Sequence, residues 1–506
     1  MKHIAIKPRK DLFILVLTLA LVFLAAARTP VDTDLWWHLA AGRVTWMTGS
    51  PMIIDSFSFT RAGSVWLNHS WLSQALFYGL FQGGGMLAMG ALVAGLAVIS
   101  MGLVFIQMRG PAIFRAFLVI FASAVAAVVW SPRPQAISLV LFAFLSWILF
   151  QYKWRKVNRL WILPVLFLLW TNLHGGWALG FGLIGVTLAG EVLNHLLGNH
   201  SPEMLDWRAI RRLGLWGLAS VPVLALHPNG LAILKIPFET VGVQALQQTI
   251  QEWASPDFHE LYQQPFLWLL LAVIITFALS RRRVDGSDLL AVVCFGVLGL
   301  VARRNFGPFA LIASPVLSRY LWQIIQDWRR PEGIDPGSWG PGVEIPEVVH
   351  RRPRWQRVVN LVLVGLFFAA GLLKLWGVTS PVIVTPVING GNPVGAVAYL
   401  KEHAGSGRLL NEYNWGGYLD WALPRLPVFI DGRTDLFGDA VIGEWMQLLQ
   451  ADGSWAQRLD DWQVEWVLVA PDRPIVRELS GRPGWEQVYA DGTCSLWRRT
   501  NASKGA

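Results

Sequence analysis

The sequence predicts a polytopic α-helical membrane protein, with about eleven transmembrane helices and a small C-terminal α/β extracytoplasmic domain. Three observations carry this prediction. The 506-residue chain is 54% hydrophobic and only 15% charged, whereas a soluble protein is nearer ~45–50% apolar and ~25% charged. Long apolar runs recur through the first three quarters of the chain. From about residue 394 the composition shifts to short β-branched segments alternating with amphipathic ones. The alternating ten-residue strands of an outer-membrane barrel are not seen.

The net charge of +9 does not point to nucleic acid. Most Lys and Arg fall in short loops between apolar runs, where the positive-inside bias places them. No nucleic-acid partner is predicted. Cys294 and Cys494 lie too far apart to suggest a disulfide framework or a metal motif.

A basic N-terminus precedes the first apolar run, 12–27. Its length and the spans that follow favour an uncleaved anchor over a signal peptide. The N-terminus then stays cytoplasmic and residues 31–71 lie outside. Residues 71–81 are amphipathic and suit the membrane interface. Further apolar runs cover 86–108, 112–130, 136–152, 160–173, 177–197, 213–226, 265–280, 289–302, 306–325 and 358–376. Alternating sides puts Arg109, Arg115, Lys153, Arg155, Lys156, Arg159, Arg208, Arg211, Arg212 and Arg281–Arg283 inside, and few basic residues outside. The odd count places the C-terminus outside, in a multi-pass protein of the plasma (inner) membrane.

The predicted organisation is a transmembrane domain over 1–378, with extracytoplasmic loops 28–82 and 229–264. A Pro-, Gly- and Arg-rich cytoplasmic linker covers 326–357, and the extracytoplasmic α/β domain covers 379–506. In that domain the pattern predicts strands at 408–411, 427–431, 464–470, 487–489 and 494–497. Helices are predicted at 394–403, 416–422, 441–452 and 474–480. The stretch 380–393 reads as Pro, Gly and β-branched residues without a predicted element.

Candidate chemistry gathers in the first outside loop, VDTDLWWHLAAGR…WLNHSW. Asp32 and Asp34 sit one residue apart at the membrane edge, and Trp36, Trp37 and His38 follow at once. A carboxylate desolvated beside Trp rings can serve as a base. The same D-x-D pair could instead ligate a hard divalent cation, Mg²⁺ or Mn²⁺, through oxygen. Trp36 and Trp37 suit either stacking on a sugar or anchoring at the interface. His69, His174 (in NLHGG) and His227 fall on the same side as His38, but without helical i, i+4 spacing. Arg133 and the pair Arg303–Arg304 run against the charge bias on the outside. An Arg fork suits a lipid phosphate or diphosphate, and snorkelling toward headgroups is the plainer alternative. The second long loop, 235–262, reads as an amphipathic lid, with Glu252 or Asp257 as a second acid. Asp431, Arg433 and Asp435 in IDGRTD read either as a ligand loop at a strand end or as turn chemistry with an internal ion pair.

This layout resembles the GT-C superfamily of polyprenyl-phosphate-sugar-dependent glycosyltransferases. These include protein O-mannosyltransferases, lipid A aminoarabinose transferases and oligosaccharyltransferase catalytic subunits. DTDLWWH resembles the acid-then-aromatic motif of their first outside loop. NWGGYLDW resembles, in a different order, the aromatic motif that holds an acceptor peptide. DLWWHLAAGR, WLNHSWLS, NLHGG, NWGGYLDW and VFIDGRTDLFG together resemble a group of bacterial membrane proteins of this type. The resemblance implies inverting transfer of a sugar from a polyprenyl-phosphate donor to a lipid, glycan or protein acceptor on the outer face. Asp34 would be the base or metal ligand, and Asp32 the other candidate. A non-enzymatic lipid-linked glycan transporter or flippase, and a scaffold that only binds partners, are the alternatives. Mid-bilayer ionisable residues along a path would mark the transporter.

Overall fold

The computed structural model describes residues 10–199, 201–238, 252–328, 354–405 and 407–500. Residues 239–251 of the expected lid and 329–353 of the expected linker lie outside the described residues.

The apolar helix α1 (Lys10–Ala26) leads into α2 (Thr33–Thr48), a helix within a stretch whose mixed composition predicts a loop. Asp32, in extended backbone, caps α2 by accepting the Asp34 N–H at 2.9 Å. Gly49, at φ +67°, closes its C-terminus with an N–H to the Thr45 carbonyl. The helix shows no apolar stripe because both sides are covered. Every residue from Leu35 to Gly42 is buried. On one side a Cβ at Gly42 would stand 2.2 Å from the Gln74 carbonyl oxygen.

That oxygen belongs to α3 (Trp71–Gln107), which joins the expected interfacial helix to the next apolar run. The two parts meet at Gly85, whose φ of 54° and ψ of −141° break the helical geometry. Then follow α4 (Ala112–Ala126), α5 (Pro134–Trp154), α6 (Leu163–Leu173), α7 (Trp177–Leu196), α8 (Trp207–Ala219), α9 (Gln264–Leu279), α10 (Gly286–Val301), α11 (Phe306–Trp328) and α12 (Arg354–Val378). All eleven predicted apolar runs fall on helical segments. Among the described residues, six stretches are long and apolar enough to cross a membrane: Trp71–Gln107, Ala112–Val129, Pro134–Trp154, Trp177–Leu196, Trp207–Leu226 and Val358–Val378. The remaining runs give shorter or less apolar helices.

One apolar core joins α1 and α3 to α11 through buried side chains such as Phe105, Phe142, Phe167, Phe266 and Phe309. By contrast α12 leaves Leu361 and Leu373 exposed, an arrangement that suits hydrocarbon rather than water. α5 carries charge at both ends. Lys153 near its C-terminus donates to Asp285 at 2.7 Å and to Glu191, while Arg319 nearby holds Asp288 through two bonds of 2.9 and 3.2 Å. Arg133 stands at its N-terminus, about 30 Å away for a helix of this length. The bundle is therefore ion-paired at both ends around an apolar middle.

After α12, the stretch expected to lack an element folds as α13 (Pro381–Gly391), with Pro381 in the first turn, where a missing N–H costs nothing. The C-terminal part contains α14 (Val394–His403), β1 (Arg408–Asn411), α15 (Tyr413–Ala422), α16 (Thr434–Leu449), α17 (Trp455–Asp461), β2 (Val464–Val469), α18 (Pro474–Ser480), β3 (Trp485–Ala490) and β4 (Ser495–Arg499). The sheet order is β1-β2-β4-β3, parallel between β1 and β2 and antiparallel elsewhere. Leu409, Trp466 and Leu468 pack on one face, Leu410, Val467 and Val469 on the other. The strand predicted at 427–431 is not one. Only Val428 pairs, bridging Leu409 and Ser58, so this segment ties the first loop to the sheet.

Candidate active site

The N-terminal turn of α2 sets two carboxylates against one guanidinium. Asp32, fixed as the cap, and Asp34, in the first turn, both face Arg133. Arg133 stands at the start of α5 in extended backbone, because Pro134 follows it. Its Nε donates to Asp32 Oδ1 at 2.7 Å, and its Nη1 lies 2.9 Å from Asp34 Oδ2 and donates to Glu252 Oε2 at 3.0 Å. Glu252 reaches across to Arg304, whose Nη1 lies 3.9 Å from Oε1. The Arg304 guanidinium lies over the Trp253 ring at 4.1 Å, and its backbone N–H donates to the Glu252 carbonyl. Asp32, Asp34, Arg133, Glu252 and Arg304 thus meet although they come from four separate stretches of chain.

Burial pushes the Asp34 carboxyl up to about 6; Arg133 opposes this, and Asp32 and Glu252 reinforce it. Burial works against the charge of Arg133, but Asp34, Asp32 and Glu252 outweigh it and hold the guanidinium protonated. A carboxylate that titrates just below neutrality is suited to accept a proton at physiological pH. The Arg133 fork stands between Asp32 and Asp34, where a bridging cation would bind. In this arrangement the pair does not fit Mg²⁺ or Mn²⁺.

The other expected site residues separate into groups. His38 lies against Trp37 with ring centroids 3.6 Å apart and the rings tilted by 36°, and His69 faces His174 at 5.6 Å. Burial lowers all three imidazoles, so they are neutral at pH 7. Among the described residues no group of three His, Cys, Asp or Glu has metal-holding geometry. Trp36 turns away from Asp34 and meets Tyr418 edge-on at 5.4 Å. Arg303 donates to the Tyr262 hydroxyl at 3.0 Å rather than entering the acid cluster. Asp257 is exposed and bonded to His259, outside the cluster.

The C-terminal part supplies the wall behind Asp34, an arrangement that no local pattern announced. A recess beside Asp34 is lined by Thr33, Tyr413, Asn414, Gly417 and Gly432. A Cβ at Gly432 would come within 2.5 Å of Asp34 Oδ1 and 2.7 Å of Trp37 Nε1. One at Gly417 would stand 3.1 Å from the Thr33 carbonyl oxygen and 3.2 Å from the Trp37 nitrogen. Glycine at both positions lets α15 and the IDGRTD loop back directly onto α2. The signal in the sequence was the pair of motifs NWGGYLDW and VFIDGRTDLFG, which carry these glycines. Within the same loop Arg433 is fully buried, bonded to Asp431 at 2.6 Å and 2.7 Å from Asp55 of the first loop. It is an internal ion pair that ties the two segments together.

The fold is shared with solved structures of an archaeal oligosaccharyltransferase and of ArnT. Among solved structures, an oligosaccharyltransferase of Archaeoglobus fulgidus in its apo form superposes with a TM-score of 0.60 at 11% identity, over 91% of this chain and 70% of that one. ArnT from Cupriavidus metallidurans bound to undecaprenyl phosphate superposes with a TM-score of 0.52 at 12% identity, over 97% of this chain and 98% of that one. The archaeal enzyme tethered to an acceptor peptide gives 0.56 at 10% identity, over 91% of this chain and 69% of that one. No protein-family model and no curated protein matches the chain.

Proposed function

We propose that the protein is an integral membrane glycosyltransferase that takes a sugar from a polyprenyl phosphate and passes it to a lipid, glycan or protein acceptor. The observation that carries this reading is the convergence of Asp34, Asp32 and Glu252 on Arg133, with Arg304 alongside. A raised carboxylate next to two guanidinium groups offers what a single displacement needs. Asp34 takes the proton from the acceptor hydroxyl, the acceptor oxygen bonds to the anomeric carbon, and the bond to the phosphate oxygen breaks with inversion. The phosphate leaves with the electron pair and is met by Arg304 and Arg133. Arg304 is the less committed of the two, since its only carboxylate among the described ion pairs lies 3.9 Å away. The solved relatives lend support. ArnT holds undecaprenyl phosphate and the oligosaccharyltransferase an acceptor peptide, on the same fold.

In this reading the N-terminus is cytoplasmic. The Asp34 end and the C-terminal α/β part face the extracytoplasmic side of the plasma membrane. A flippase is disfavoured, because the charge clusters described here sit at the two ends of α5 rather than along its middle.

The test is transfer by the purified protein in nanodiscs, with undecaprenyl-phosphate sugars as donors. Wild type should transfer, and Asp34→Asn should lose at least about 10²-fold. Full activity in folded Asp34→Asn would overturn the proposal. Donor binding without turnover by wild type would point instead to a scaffold that only binds.

A further inference from the structure

α2 carries a second set of side chains on the side away from Asp34. Asp34 looks toward Arg133, while Trp36 and Arg43, seven residues apart and so on one side of the helix, look the other way. There they line a cavity of about 510 Å³ together with Phe81, Met86, Tyr418 and Trp421. Lys401 stands at its edge, exposed, and no carboxylate lines it. Asp420, whose charge bears on Arg43, is buried, and desolvation together with Asp431 pushes its carboxyl well above the ordinary carboxylate range. Arg43 is held in place. It lies over the Trp421 ring at 4.5 Å, and its Nη2 donates to the carbonyls of Asp420 at 3.3 Å and Trp421 at 3.1 Å.

The surroundings say what reaches this cavity. Phe81 and Met86 flank the Gly85 break, where α3 passes from its first segment into its apolar span. Ile388 of α13 completes the apolar wall, and the same helix leaves Val382, Ile383 and Val387 exposed. The cavity therefore borders exposed apolar residues of α13, next to the point where α3 enters its apolar span. A glycan fits it poorly. Its walls carry no Asp, Glu, Asn or Gln for sugar hydroxyls, and its rings meet edge-on, Phe81 with Trp421 at 5.7 Å and Trp36 with Tyr418 at 5.4 Å.

We propose that this cavity binds an anionic phospholipid of the surrounding bilayer, with the headgroup phosphate between Arg43 and Lys401 and an acyl chain against Phe81, Met86 and Ile388. Two cations in a lining without a carboxylate select a negative headgroup, and the apolar wall takes the chain. The lipid would sit against α2 on the side away from Asp34 and brace the helix that carries the acids.

The experiment uses the full chain in nanodiscs of phosphatidylglycerol in phosphatidylcholine, with retained lipid counted by native mass spectrometry after release into detergent. Phosphatidylglycerol should be retained over phosphatidylcholine. Lys401→Glu, at an exposed position, should lower that retention at least tenfold. Ile388→Trp, which fills the apolar end, should lower it as well. Equal retention of the two lipids, unchanged retention in both variants, or displacement of phosphatidylglycerol by equimolar undecaprenyl phosphate would each overturn the proposal. The readout needs no sugar transfer, so it stands or falls apart from the role given to Asp34.

Discussion

Gly432 lies so close to Asp34 that a Cβ there would stand 2.5 Å from the carboxylate oxygen, well inside van der Waals contact. The loop 431–435 is anchored to the first loop by the buried Arg433–Asp55 pair, so it cannot retreat freely. Gly432→Ala should therefore displace Asp34 or its helix turn rather than itself. The expected outcome is a fall in transfer rate of about 10²-fold, the usual scale for a misplacement near 1 Å. Steady-state kinetics should place the loss mainly in kcat, with the melting temperature changed little.

The raised Asp34 sets a pH profile. In its proposed role as base it would work only when ionised, so transfer should rise through a midpoint near 6 and level off above it. The linkage sign follows from the same shift. The folded carboxyl titrates above its unfolded value, so its stabilising share is present at low pH and is lost as pH rises through about 6. Asp34→Asn should thus be inactive yet no less heat-stable than wild type at pH 7.5. A matched pair of rate and melting curves between pH 5 and 8 checks both parts.

Arg133 should matter doubly. It is the largest influence holding Asp34 down, and it pairs with three acids at once. Arg133→Gln should move the midpoint of the pH–rate profile upward by about one unit or more. It should also lower the melting temperature, because Asp32, Asp34 and Glu252 then crowd without a counter-charge. An unchanged midpoint would show that Arg133 does not face Asp34 in solution.

Among the ties between first loop and C-terminal part is the pair Arg433 and Asp55, both side chains fully buried, 2.7 Å apart. Replacing one partner leaves the other charged and desolvated, a loss of about 3–5 kcal/mol. Arg433→Gln should make the β1 and α15 region exchange amide hydrogens faster than wild type, while helices α4 and α7 stay protected. Hydrogen-exchange mass spectrometry in nanodiscs reads both regions in one experiment.

Much of this protein was legible one segment at a time. The eleven apolar runs announce helices because hydrocarbon leaves the backbone no partner but itself. β1 and α14 fall where local pattern placed them, since half-buried strands and capped helices carry their period in sequence. The acids Asp32 and Asp34 and the off-bias arginines Arg133 and Arg304 could each be picked out alone. α2 could not, because its burial on both sides erases the stripe that marks an amphipathic helix. Nor could its partners be assigned. Arg133 is about a hundred positions from Asp34 and Gly432 about four hundred, so their approach depends on how the bundle closes and where the C-terminal sheet docks. The residue types and the helices are local properties of the chain. Which carboxylate meets which guanidinium, and which glycine makes room for it, are properties of the packed whole.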